Sequence, residues 1–138
     1  MRIRPFEPAD TVAVVRLWEE AGLTRPWNDP YRDIERKLTV QPDLFLVGEL
    51  DGTVVSSAMA GYDGHRGWVY YLAVHAEHQG RGLGTAILRE AERRLTALGC
   101  PKVTMQVRPG NDAQLARAAA WGYLPDEATG LGKRLIAD

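Results

Sequence analysis

The sequence predicts an α/β (α+β) domain, a mixed sheet with helices on its faces, and three observations carry that expectation. Strand-like and helix-like stretches alternate in the order β-α-α-β-β-β-α-β-α-β. Asp51-Gly52 sits between two apolar runs, the signature of a tight hairpin. Trp68 to His75 is an unbroken apolar run suited to a central strand, and it leads through a glycine-rich turn into a long amphipathic helix.

Each element has its own signal. Arg2 to Phe6 alternates as a first strand. Asp10 is placed to cap a helix through Ala21, with Val12, Val15, Leu17 and Trp18 on one face and Gly22 ending it. The TRPWNDP segment is a loop bracketed by prolines, and Tyr31 to Leu38 is a short polar helix. Leu44 to Leu50 and Thr53 to Tyr62 form the hairpin, and Asp63-Gly64 marks a second turn. The helix after the glycines carries Leu83, Ile87, Ala91, Leu95 and Leu98 as an apolar stripe, and Gly99 and Pro101 stop it. Lys102 to Val107 reads as a strand, Asn111 or Asp112 caps a helix to Trp121, and Tyr123 to Ile136 reads as a last strand interrupted near Gly130. The count is therefore six or seven strands.

Composition bounds the function. The chain has 138 residues, 45% hydrophobic and 25% charged, enough for one domain over residues 1–138 with a real core. A formal net charge of −1 supplies no basic field, so no nucleic-acid partner is expected. The single cysteine, Cys100, excludes an internal disulfide and a cysteine-based zinc site. His75 and His78 have no matching carboxylate cluster, so no metal is expected. No signal peptide or spanning run is visible, which points to a cytoplasmic protein with no membrane partner.

Residues 77–91, EHQGRGLGTAILREA, carry the chemistry. Glycine costs roughly 1 kcal/mol against alanine inside a helix, so Gly80, Gly82 and Gly84 at its threshold call for a reason. A strand, a glycine turn and a helix N-terminus make an anion site, because the first helical N–H groups have no internal partner and the dipole is positive there. Arg81 adds a cation. The same glycines also suit a tight turn with close helix–strand packing. A Walker A loop fails here because no lysine follows the glycines, and the G-x-G-x-x-G dinucleotide spacing is absent.

Gln79-Gly80-Arg81-Gly82-Leu83-Gly84 resembles the Q/R-x-x-G-x-G/A loop of the GNAT superfamily of acetyltransferases, within YLAVHAEHQGRGLGTAIL. RPWNDPYRDIERK, LFLVGELDG, GYDGHRG and GLGKRLI extend the likeness over nearly the whole chain, toward the small YpeA-type bacterial branch. The resemblance implies a GNAT fold with splayed central strands and direct acetyl transfer from acetyl-CoA to a primary amine of a small molecule or protein. It assigns the pyrophosphate to Gln79, Gly80, Arg81, Gly82, Leu83, Gly84 and Thr85. It assigns the pantetheine arm to Leu72, Ala73 and Val74, one of whose N–H groups polarises the thioester carbonyl, a contribution of about 3 kcal/mol. Asn111 matches an asparagine that contacts the cofactor or the acceptor, and it also suits a helix N-cap.

Two departures stand out. The tyrosine that many relatives use as acid is Ala118 here, and the glutamate of protein-N-terminus acetylating relatives is Gln106. Tyr70 and Tyr71 are the replacement candidates for proton transfer, and strict alternation would point them to opposite faces. Trp27, Asn28, Asp29, Tyr62, Asp63 and Arg66 are the acceptor-site candidates, in loops that border the acceptor pocket in the family. The expected partner is an amine acceptor, with a homodimer left open. The missing tyrosine and glutamate also motivate a second reading, an acyl-CoA-binding sensor with little catalytic activity.

Overall fold

Four antiparallel strands follow one another in chain order before the chain makes its first crossover. The computed structural model describes residues 1–138. Strand β1 (Arg2–Pro5) leads through a 3-10 turn into helices α1 (Thr11–Glu20) and α2 (Pro30–Lys37). Strands β2 (Phe45–Leu50), β3 (Thr53–Tyr62) and β4 (Gly67–Val74) come next, then helix α3 (Leu83–Ala97), strand β5 (Val103–Thr104) and helix α4 (Asp112–Ala120). The sheet order is β1-β2-β3-β4-β5, with only the β4–β5 pair parallel.

Local sequence explains the hairpin and the caps. Asp51 and Gly52 both take left-handed φ, 50° and 78°, the twist that a two-residue turn needs between right-twisted strands. Asp29 caps α2 by accepting from the Tyr31 N–H at 2.9 Å. Asp10 makes no side-chain cap of α1. Its carboxylate instead takes two hydrogen bonds from the Arg4 guanidinium, at 2.7 and 2.9 Å, and one from the Glu7 N–H. The bidentate cation holds that carboxyl below the usual range.

The two faces of the sheet bury separate clusters. Phe45, Val47 and Met59 pack under α1 with Val14, Val15, Leu17, Trp18 and Ile34. Leu44, Leu46, Ala58, Ala60 and Val69 pack under α3 with Ile87, Leu88, Ala91 and Leu95. Alternation along β2 thus sends successive residues to opposite helical layers. Leu98, assigned by periodicity to the α3 stripe, is 51% exposed. No helix is long and apolar enough to cross a membrane.

The sheet has five strands, fewer than the six or seven expected, and the C-terminal third accounts for the difference. Of the strand expected over Lys102 to Val107, only Val103 and Thr104 pair, with Gly67 and Trp68. Beyond Trp68 the β4 edge has no strand partner on that side, which is the expected parting of the central strands. Tyr123 to Ile136 forms no strand. Pro125 cannot donate to a ladder, and Gly130 and Gly132 weaken one. Leu131 and Leu135 are 94% and 85% exposed, so no buried apolar face rewards pairing.

Candidate active site

The loop between β4 and α3 is shaped by backbone conformation. Gly80 and Gly82 both have φ of 78°, and Gly82 is the residue that starts α3. A Cβ at either would meet nothing within 4 Å, so their concave side is open. Ala86 N–H makes the first intrahelical bond, to the Gly82 carbonyl, and the N–H groups before it have no intrahelical acceptor. No acidic residue lies in the first turn of α3, leaving its positive potential uncompensated. Gln79 ties the loop to the strand by donating to the Val74 carbonyl at 3.2 Å. Gly84 has a different use: its Cβ would sit 3.4 Å from Val74 Cγ2 and 3.7 Å from the Trp121 ring. Thr85 Oγ1 accepts from Trp121 Nε1 at 2.9 Å, which leaves its hydroxyl proton available to an anion.

One strand position breaks the rules of the sheet. Ser57 pairs with Ala73 and Met59 with Tyr70, so Tyr71 and Leu72 together oppose Ala58 as a β-bulge. Tyr71 has φ of 52°, a left-handed conformation that costs a bulky residue on the order of 1–3 kcal/mol. The bulge also resets alternation. Val69 and Leu72 join the α3-side cluster, while Tyr71 and Ala73 join the α1-side cluster. Tyr70 follows Val69 and so points to the α1 side, as Tyr71 does. The expectation of opposite faces is corrected: both tyrosines share the face beneath α1 and α2.

Side chains from four elements hold Tyr71 there. Its ring stacks on Trp18 with centroids 3.7 Å apart and planes 11° from parallel. Its hydroxyl donates to Asp33 Oδ2 at 2.7 Å, and Asn28 Nδ2 donates to the same oxygen at 2.5 Å and to the tyrosine oxygen at 3.3 Å. Trp18 Nε1 donates to Ser57 Oγ at 2.9 Å, and that hydroxyl donates to the Tyr71 carbonyl at 2.7 Å. Stacking of about 0.5–1.5 kcal/mol and a charged hydrogen bond of about 1.5–3 kcal/mol together offset the backbone strain. Burial, and then the Asp33 carboxylate, push the Tyr71 phenol well above its ordinary range. Tyr70 is 45% exposed, its ring lies parallel to that of Trp68 with centroids 6.0 Å apart, and its phenol pKa is pushed up by burial and then by Asp63.

The remaining candidates scatter. Asn28 meets Tyr71, as above. Trp27 is 58% exposed and lines, with Arg36 and residues 132–136, an open cavity of about 530 Å³. Asp29 is spent as the α2 cap, while its N–H donates to Asp138 Oδ2 at 2.9 Å. Tyr62 packs on the α3-side cluster, on the far face from Asn28. Asp63 accepts from the His65 and Arg66 N–H groups at 2.8 Å each, closing the β3–β4 turn, and the Arg66 guanidinium donates to the His65 carbonyl. Asn111 Oδ1 accepts from the Gln114 N–H at 3.2 Å, as an N-cap. Ala118 is buried and lines a cleft of about 660 Å³ with Thr104, Met105 and Tyr123. The sequence gives no site role to Asp33 or Ser57, and marks Trp18 only as part of the apolar face of α1. The signal for Ser57 was there, since Ser56-Ser57 interrupts an otherwise apolar strand.

A strand that parts from its neighbour and runs into an open, glycine-lined helix N-terminus is the geometry on which the comparisons bear. The model of the acetyltransferase (GNAT) family matches residues 12–123. This chain belongs to that family. An acetyltransferase of Yersinia pestis (strain Pestoides F) is 50% identical over 138 residues, covering 100% of this chain and 98% of the relative. The apo structure of aminoglycoside antibiotic 6'-N-acetyltransferase AAC(6')-IG from Acinetobacter haemolyticus shares the fold with a TM-score of 0.79 at 16% identity, over 99% of each chain. AAC(6')-Iy in complex with the bisubstrate analog CoA-S-monomethyl-acetylneamine gives 0.78 at 16% identity, over 98% of each.

Proposed function

We propose that the protein transfers the acetyl group of acetyl-CoA directly to a primary amine of a small molecule or protein. The observation that carries this reading is the open N-terminus of α3, entered through left-handed Gly80 and Gly82 at the end of a strand with a free edge. In this reading the N–H groups of the loop and first helical turn, with Arg81 and the Thr85 hydroxyl, bind the pyrophosphate. The free edge of β4 at Leu72, Ala73 and Val74 pairs with the amide-bearing arm. In the same reading Asn111, at the start of α4, contacts the cofactor or the acceptor.

Proton transfer falls to Tyr70. The Tyr71 hydroxyl proton is committed to Asp33, whereas Tyr70 is accessible and, with its raised pKa, fully protonated at neutral pH. A phenol in that state serves as an acid for a departing thiolate. The acceptor approaches on the α1–α2 face, past Trp27 and Asn28. An amine on a polycationic sugar, as in the neighbour's bisubstrate analog, is one acceptor to include in a screen.

The test has two parts. Acetyl-CoA at 100 times its dissociation constant should stabilise the folded protein by about 2.7 kcal/mol, read as a rise in Tm. Thiol release with a panel of aminoglycosides, polyamines, amino acids and peptide N-termini should then find an acceptor. No shift at millimolar acetyl-CoA sinks the reading. A shift with no turnover on any amine favours a binding module instead.

A further inference from the structure

The network around Tyr71 has more parts than support of one aromatic ring requires. Ser57 Oγ is fully buried, is fixed by the Trp18 indole and is aimed at a single backbone carbonyl. That carbonyl belongs to the peptide joining Tyr71 to Leu72, which is trans, as all peptide bonds of the chain are. A trans peptide points its C=O and its N–H in opposite directions. Holding the Tyr71 oxygen on the β3 side toward α1 therefore turns the Leu72 N–H away from β3, to the edge of β4 that β5 leaves open beyond Trp68.

Resting on the acetyl-transfer reading above, we infer that Ser57 and Asp33 are positioning residues for catalysis. Ser57 grips the carbonyl end of the Tyr71–Leu72 peptide, and Asp33 with Asn28 grips the Tyr71 side chain. Between them they hold the left-handed bulge in the one orientation that presents the Leu72 N–H to the thioester carbonyl oxygen. Alternation turns the Ala73 N–H toward β3 and leaves those of Leu72 and Val74 on the open edge, and of these two Leu72 is the one whose peptide Ser57 holds. The residue at the bulge is an anchor and not the acid. Its strained φ is retained because the peptide that follows it must face the gap.

Isotope-edited infrared spectroscopy of acetyl-CoA carrying a ¹³C-labelled thioester carbonyl tests this without an acceptor. Bound to the wild-type protein, the carbonyl band should lie below its position in free acetyl-CoA. In Ser57→Ala the band should move back toward the free position, with the dissociation constant of acetyl-CoA changed less than about threefold. With an acceptor, kcat should fall by about tenfold or more at unchanged KM for acetyl-CoA, a fraction of the 10²–10³ lost with a whole oxyanion donor. Ser57→Thr, which keeps the hydroxyl, should restore both readouts. Asp33→Asn, which loosens only the side-chain grip, should shift the band in the same direction by less, and it serves if Ser57→Ala fails to fold. A merely structural role would lower Tm and leave the band of the bound, folded protein in place, and that result overturns the inference. A wild-type band at the free position overturns it too, while the acetyl-transfer reading stands. Failure of the wild type to bind acetyl-CoA overturns both.

Discussion

At the N-terminus of α3, the groups proposed to bind the pyrophosphate are backbone N–H donors, and the sequence supplies them by omission: glycines where side chains would intrude, and no acid in the first turn. Around Tyr71, the backbone is equally specialised, yet it is held in place by side chains from α1, the α1–α2 loop, α2 and β3. The first region holds its shape through conformations that only glycine adopts freely. The second forces a tyrosine into such a conformation and holds it there with a stacked ring and hydrogen bonds to a carboxylate. A binding cradle tolerates permissive backbone, because its donors converge on a large anion. A single polarising N–H has one target, and its direction must be enforced.

The largest effect that tests this contrast is at Tyr70, the exposed neighbour of the anchored tyrosine. Tyr70→Phe should lower kcat by 10²–10⁴-fold, the usual worth of a positioned acid, with acetyl-CoA affinity unchanged. The acid must be protonated to act, and burial and Asp63 raise its pKa, so wild-type kcat should hold through neutral pH and fall only above pH of about 10. A pH–rate profile of the wild type falling well below that point, or a Tyr70→Phe variant at full speed, assigns the proton to another group. A smaller effect is expected in the cradle. Gly82→Val should raise the dissociation constant of acetyl-CoA at least tenfold, because a branched residue at φ of 78° is strained and fills the open side. Unchanged affinity would make the glycines turn residues and nothing more. Smallest is Arg81→Ala, an exposed cation whose removal should weaken binding by about 2–5-fold at low salt and less at high salt. Salt-independent loss would show that Arg81 acts by shaping the loop rather than by charge.

The same contrast explains what could be read from the sequence. Glycines at Gly80, Gly82 and Gly84 between an apolar run and an amphipathic helix identify the cradle because cause and residue lie together in the chain. The meander from β1 to β4 was legible for a similar reason: Asp51-Gly52 fixes a turn, and alternation fixes faces. Tyr71 was visible as a candidate, but its environment was not. Trp18, Asn28, Asp33 and Ser57 are distant in sequence, and a bulge at a non-glycine residue leaves no local mark. The assumption of strict alternation then separated two tyrosines that the structure puts on one face. Periodicity also overstated the end of the chain, where the alternation of Tyr123 to Ile136 has no partner strand or buried face to act on. Acceptor candidates chosen for loop position fared unevenly, since Asp29 and Asp63 are engaged in capping and turn bonds that any polar loop needs.

The bulge in β4 has a consequence for how the strand tolerates insertion and deletion. Residues up to Tyr70 and residues from Leu72 onward obey two different alternation frames, and Tyr71 is the one position between them. Deleting it would merge the frames: Val69, Tyr70, Leu72 and Ala73 would then alternate regularly between the two helical layers, each on the face it occupies now. The strand is thus one deletion away from an unstrained ladder. The same deletion would forfeit the ring stacked on Trp18 and the hydroxyl bond to Asp33 that offset the strain. What the extra residue adds, on the inference drawn above, is the direction of one peptide plane.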